Sequence, residues 1–159
     1  MKYLDNGKIV VKNTKELKQI ILDKEIDLAL IDIKKSKLKD FGHLFYEVRS
    51  IKGDYSRWDT SNIEFFNSCF EGCELRDINI AGWSMKSVKD CNWMFWKAIR
   101  FEQKHGKVDS GMNKLLPWIR DNLLDETESL ELDEYINSFD NDLYLDQFEL
   151  DGDKGENNA

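Results

Sequence analysis

Large apolar residues return along this chain at a spacing of 25. Leu30, Tyr55 and Ile80 coincide when 25 is added, and so do Ile33, Trp58 and Trp83. The same holds for Leu38, Ile63 and Val88, for Phe41, Phe66 and Cys91, and for Leu44, Cys69 and Met94. Phe45, Phe70 and Phe95 are identical in type, and Val48, Cys73 and Ala98 fill a further small apolar position. Such a register predicts stacked repeats, because one copy has nothing on which to bury its own face. Around Trp58 the residues alternate and turn formers follow, which predicts a short strand with a tight exit. Ile63, Phe66, Cys69 and Phe70 then fall at spacings of 3, 3 and 1, which predicts one face of a short helix. Each copy therefore reads as strand, turn, helix and loop, with the strands in a small parallel sheet.

The flanks read as caps, all within one domain over residues 1–159. In residues 1–28, Asn6-Gly7 predicts a tight hairpin turn. Asn13 and Glu16 suit a capping box, and Leu17, Ile20 and Ile21 form one apolar helical face. The repeats occupy residues 29–108. A fourth copy starts at Val108-Asp109 and fails at Leu115, Leu116 and Pro117. Residues 109–150 are then expected as an acidic, mainly helical cap. Pro117 opens one helix, and Leu130 to Phe139 form another with Leu132, Tyr135, Ile136 and Phe139 inward. Leu143-Tyr144-Leu145 is expected as a strand or packing segment, and residues 151–159 as a frayed tail.

The stretch Asp54-Tyr55-Ser56-Arg57-Trp58-Asp59-Thr60-Ser61-Asn62-Ile63 resembles the repeat of BspA-like proteins, bacterial chains of leucine-rich-repeat type. Cys69-Phe70-Glu71-Gly72-Cys73 and Met94-Phe95 resemble the close of that repeat, and the likeness covers about residues 13–103. A period of 25 also lies within the roughly 20–29 residues of leucine-rich-repeat architecture. The expected fold is thus α/β, a short leucine-rich-repeat-like solenoid of about three strand–turn–helix repeats between two caps. The resemblance implies protein binding, often at the cell surface.

Charge changes this picture at one end. Residues 121–159 hold 14 Asp/Glu and one Lys, a net of −13, whereas residues 1–120 hold 17 acids and 22 bases, a net of +5. The acids are interleaved with Leu, Tyr, Ile and Phe, so much of this segment is expected to fold and present an acidic surface. Its candidates are Asp125, Glu126, Glu128, Glu131, Glu134, Asp140, Asp142 and Asp146. On the strands, Asp32, Lys34, Arg57, Asp59 and Ser84 are expected to face away from the core, on the concave side that solenoids use for binding. Trp93 and Trp96 are aromatic only in the third copy. They are read as covered by the C-terminal helices, Trp118 among them, or as an exposed anchor for a partner.

Other chemistry finds little footing. Cys69, Cys73 and Cys91 occupy core slots of the repeat, where Cys behaves as a small hydrophobe. His43 and His105 lack partners at ligand spacing. The run from Asp140 to Asp146 resembles a calcium loop but has Leu145 where Gly is required. No phosphate loop, nucleophile elbow or dinucleotide fingerprint occurs. The expectation is a non-enzyme without metal or cofactor. The first residues lack a signal-peptide pattern, and no apolar run reaches the roughly 20 residues of a membrane span. A cytoplasmic protein is therefore expected, with neither membrane nor direct nucleic-acid binding. Its partner is another protein, bound through the solenoid face and the acidic cap. The alternative is an acidic inhibitor, a nucleic-acid mimic that occupies the basic groove of a nucleic-acid-binding enzyme, as phage anti-defence proteins such as anti-CRISPRs do. A surface-adhesin fragment is the third reading.

Overall fold

The computed structural model describes residues 1–138. The expected strand at residues 143–145, Phe139 and the acidic candidates Asp140, Asp142 and Asp146 lie outside them. Strands β1 (Lys2–Tyr3) and β2 (Ile9–Val10) pair antiparallel, with Tyr3 opposite Ile9. The turn between them uses Gly7 at φ +80° and the Asn6 side chain, which accepts the Lys8 amide. Helix α1 (Thr14–Asp23) starts as expected. Asn13 Oδ1 accepts the Glu16 amide at 2.8 Å, and Glu16 Oε2 accepts the Lys12 amide at 2.7 Å. Leu17, Ile20 and Ile21 are buried.

The strand–turn–helix solenoid does not form. Among the described residues the only sheet is the two-stranded β1–β2 hairpin; no strand forms around Ile33, Trp58 or Trp83, and parallel pairing between copies is confined to isolated bridges at Asp40–Phe65 and Phe65–Asp90, in the stretches expected as helix. Ile33, expected on a strand, opens the one-turn helix α2 (Ile33–Ser36), because Asp32 accepts the Lys35 amide and caps it. Where helices were expected, the chain makes overlapping tight turns. Leu44, Tyr46 and Val48 each donate to the carbonyl three residues back, all at 3.1 Å. The intervening amides leave the layer altogether. Phe41, His43, Phe45 and Glu47 donate to the carbonyls of Phe65, Asn67, Cys69 and Glu71 at 2.7–3.3 Å. Phe66, Ser68, Phe70 and Gly72 donate to Asp90, Asn92, Met94 and Trp96 at 2.8–3.0 Å.

These bonds consume the amides that a helix would send four residues back. The backbone accommodates the pattern with left-handed residues four apart: His43 and Glu47, Ser68 and Gly72, Trp93 and Lys97. Spacings of 3 and 4 suit a chain of tight turns as well as a helix, which is why the apolar pattern pointed to the wrong element. The register itself organises the core. Phe45, Phe70, Phe95 and Phe101 stack at 4.8, 5.7 and 4.4 Å between successive ring centroids, with interplanar angles of 10°, 7° and 11°. Trp58 stacks on Trp83 at 6.2 Å.

One alignment position is corrected. Leu30 is exposed, and Leu28 takes its place in the core. Leu28 O accepts the Trp58 indole N–H at 2.8 Å, as Tyr55 O accepts that of Trp83. The first copy is thus two residues longer than the others.

Side chains close both ends of the ladder. From α1, Thr14 Oγ1 and Lys18 Nζ donate to the Asp40 and His43 carbonyls, each at 2.6 Å. After the last layer come α3 (Ile99–His105), α4 (Met112–Asn122) and α5 (Glu126–Asn137). Pro117 lies inside α4 and does not open it. The helix begins five residues earlier because Asn92 Oδ1 accepts the Met112 amide at 2.7 Å. Helix α5 also begins before the predicted Leu130, capped by Asp125 through the Glu128 amide at 3.0 Å.

Candidate interaction surface

Trp58 turns its ring into the core, and its neighbours Arg57 and Asp59 are exposed. Arg57 and Asp59 thereby reach a cleft of about 310 Å³ between the stacked layers and α5. Lys34 from α2, the hydroxyl residues Thr60, Ser61 and Ser84, Lys86, and Glu128 and Glu131 from α5 complete its polar lining. Gly82 lets the chain approach closely here, since a Cβ on it would fall 2.6 Å from Ser56 O and 3.1 Å from Arg57 Cδ.

The charges in the cleft are partly matched. Lys34 Nζ lies 3.6 Å from Asp59 Oδ2, and Arg57 reaches Asp125 Oδ2 at 3.2 Å. Partial burial pushes the Asp59 carboxyl up, but hydrogen bonds from Ser61 and the nearby Lys34 outweigh this and hold it below the ordinary carboxylate range. Glu128 goes the other way. Burial, then repulsion from Glu131 and Asp125, raises its carboxyl, and Lys86 opposes this only in part. Its Oε2 atom is buried without a hydrogen-bond partner among the described residues.

The structure brings Lys34, Arg57, Asp59 and Ser84 together with two of the acidic-cap residues, Glu128 and Glu131. Ser84 is buried at the cleft, not displayed on a sheet. Asp32 stands apart, its carboxylate engaged in capping α2. Asp125 caps α5, while Glu126, Glu131 and Glu134 are exposed.

Trp93 and Trp96 form a second patch. Their rings meet edge to face at 5.0 Å, and both are half-buried. Lys97 and Lys107 hold their ammonium groups 5.9 and 6.0 Å from the Trp96 ring. The expected cover by Trp118 is replaced by other packing, since its ring contacts are Phe95, Phe101 and His105.

A groove of about 720 Å³ beside α3 went unread in the sequence. Glu74, Arg76, Asp77, Ile99, Arg100, Gln103 and Lys104 line it. Helix α3 lacks a side-chain cap, so no start signal marks it, and its residues fell within the last repeat. The clue in the sequence was the i, i+4 spacing of Arg100 and Lys104 beside Ile99.

The reactive side chains lie elsewhere. All three cysteines are buried as free thiols. Burial raises Cys69 and Cys91 well above the ordinary thiol value and Cys73 to about 11, which disfavours a reactive thiolate. Among the described residues, no three His, Cys, Asp or Glu side chains gather as a metal set, and no helix is long and apolar enough to cross a membrane.

The sequence profile of a family described as "Mycoplasma protein of unknown function, DUF285" matches residues 12–115. No curated protein matches the chain, and no solved structure does. The matched span runs from α1 through every stacked layer into α4, more than half of the sequence, and the protein therefore belongs to the DUF285 family.

Proposed function

We propose that this protein is a non-catalytic interaction module that binds another protein through the cleft and the acidic helix α5 beside it. The observation that carries this reading is the convergence on one cleft of Lys34, Arg57, Asp59 and Ser84 with Glu128 and Glu131. These residues come from α2, the later layers and α5. Cations and carboxylates arranged together give a surface that recognises complementary charge and orients a partner. The BspA-like character of the repeat motif supports the same reading, because such repeats serve protein recognition. The test is affinity enrichment from the native cell with wild type and with an Arg57→Glu, Glu131→Lys variant of unchanged melting temperature. Loss of specific partners from the variant is expected. An unchanged set of captured proteins would refute the role of the cleft.

A second reading rests on the outer acids of α5. Glu126, Glu131 and Glu134 are exposed, and residues 121–138 contain no Lys or Arg. Such a row suits the basic groove of a nucleic-acid-binding enzyme. Charge reversal at Glu126 and Glu134 separates the two, since it abolishes groove binding but leaves a partner seated in the cleft.

A further inference from the structure

The groove beside α3 and the outer face of α5 complement each other. Ile99 and Leu130 are the most exposed large aliphatic side chains among the described residues, at 59% and 61%. Ile99 lies among Arg76, Arg100 and Lys104 in the groove. Neither the Arg76 nor the Arg100 side chain has an ion pair or hydrogen bond to another described residue. The groove's own acids are already neighboured by bases, Glu74 by Arg49 at 3.5 Å and Asp77 by Lys104 at 3.8 Å. On α5, Leu130 stands one turn from Glu126 and one turn from Glu134. Neither glutamate has an ion pair among the described residues.

One surface is thus an aliphatic side chain beside two arginines unpaired among the described residues, with Lys104 shared with Asp77 and Glu74 also on the rim, and the other an aliphatic side chain flanked by two carboxylates. They sit on separate parts of the fold. Helix α5 is docked through the Asp125 amide on Ala81 O and the Tyr135 hydroxyl on Val88 O, whereas α3 directly follows the last layer. Both are exposed, so they do not satisfy each other within one molecule.

We propose that they join between molecules: the Glu126–Leu130–Glu134 stripe of one copy seats in the α3 groove of a second copy. The contact is heterologous, because each copy offers a different surface to each neighbour. Association therefore continues head to tail until a ring closes or the chain of copies ends. The apolar centre is small and the charges are exposed, so the contact is weak and sensitive to salt. The cleft takes Glu128, on the opposite side of α5, and Glu131, which lies between that side and the stripe.

Sedimentation velocity on the full chain, from micromolar to millimolar concentration at low and high salt, tests it. The weight-average mass of wild type is expected to rise with concentration at low salt and fall back to the monomer at high salt. Arg100→Glu with Lys104→Glu removes one face, and Leu130→Lys removes the other. Each is expected to weaken self-association roughly tenfold or more, since like charges then meet. Mixed together, the two variants still hold one intact surface each and form a 1:1 dimer that grows no further. Melting curves check that each variant is folded, with Leu130→Ala, expected to lose less, as the milder replacement. The proposal is overturned by a wild type that stays monomeric throughout, by variants that associate as wild type does, or by a mixture that remains monomeric. A monomeric wild type that binds an added acidic helical peptide, with loss in the Arg100→Glu, Lys104→Glu variant, would assign the groove to a foreign partner instead. Lys34→Glu, in the cleft and ion-paired with Asp59 and not with α5, leaves self-association unchanged, which keeps this result separate from the fate of the partner-binding reading.

Discussion

Asp125 and Glu128 make only half of a capping box. Asp125 Oδ1 accepts the Glu128 amide at 3.0 Å, but the Asp125 amide is already spent on Ala81 O at 2.8 Å. The Glu128 carboxylate therefore has no cap amide to accept from, and its Oε2 is buried beside Glu131 and Asp125 without a partner among the described residues. The same bond that docks α5 onto the stack leaves a poorly solvated carboxyl in the cleft.

Neutralising that charge should stabilise the fold. The Glu128 carboxyl lies above its ordinary value, so the folded chain holds this proton more tightly than the unfolded chain. The resulting stability is fully present below the ordinary glutamate range and is lost as pH rises through the raised folded value. At neutral pH the group is a net cost, and Glu128→Gln should raise the melting temperature by roughly 1–2 °C, a figure discounted for partial exposure. The gain should shrink as pH is lowered into the ordinary glutamate range. Thermal melts across that window check it, and a gain independent of pH would point to a cause other than charge.

The left-handed positions make a second case. Gly72 at φ +63° is aligned with Glu47 and Lys97, at φ 57° and 56°. A Cβ on Gly72 would meet Glu47 Cγ at 3.7 Å and Tyr46 Cε2 at 3.9 Å, ordinary contacts that ask nothing of the neighbours. Gly72→Ala should therefore cost only the backbone term, about 1 kcal/mol, with Lys97→Gly gaining a similar amount less its contact with Trp96. Urea titrations of the two variants measure both signs.

These same positions explain what the sequence reveals and what it hides. The 25-residue register was legible because Phe45, Phe70 and Phe95 must stack to fill the core, and bulky side chains advertise that need. The element type was not legible. Five of the six left-handed residues in the ladder are not glycine, so His43, Glu47, Ser68, Trp93 and Lys97 gave no turn signal. Part of the cleft could be read, since residues beside buried Trp58 must point away from it. The involvement of Glu128 could not, because it depends on how α5 docks through Asp125 and Tyr135.

Asn92 ties the last layer to the helical cap. It is buried, and its Oδ1 holds the first amide of α4 at 2.7 Å. Asn92→Ala should cost about 1–2 kcal/mol by leaving that amide without its cap. Asn92→Asp keeps an acceptor and should recover part of the loss. Hydrogen exchange should speed up first in α4, and uniform acceleration across all layers would instead mean that α4 and the stack unfold as one unit.

Phe70 tests whether the layers act together. It stacks on Phe45 on one side and Phe95 on the other, and it is fully buried. Its amide donates to Met94 O in the next layer at 2.8 Å, while its carbonyl accepts from Cys73 at 3.1 Å in the turn of its own layer, so the amide and the ring both join the layers. Truncation leaves the backbone bonds in place and removes only the ring. Phe70→Ala should therefore cost about 3–5 kcal/mol, a cavity in a column that α1 and α4 hold from both ends and that cannot collapse freely. Phe70→Leu fills most of the space and should cost distinctly less. If stability is shared along the stack, Phe70→Ala lowers protection of layers one and three equally. If each layer is held mainly by its own turns, exchange speeds up only around residues 66–73. Native-state hydrogen exchange on the alanine variant decides between these, and the continuous aromatic column favours the shared outcome.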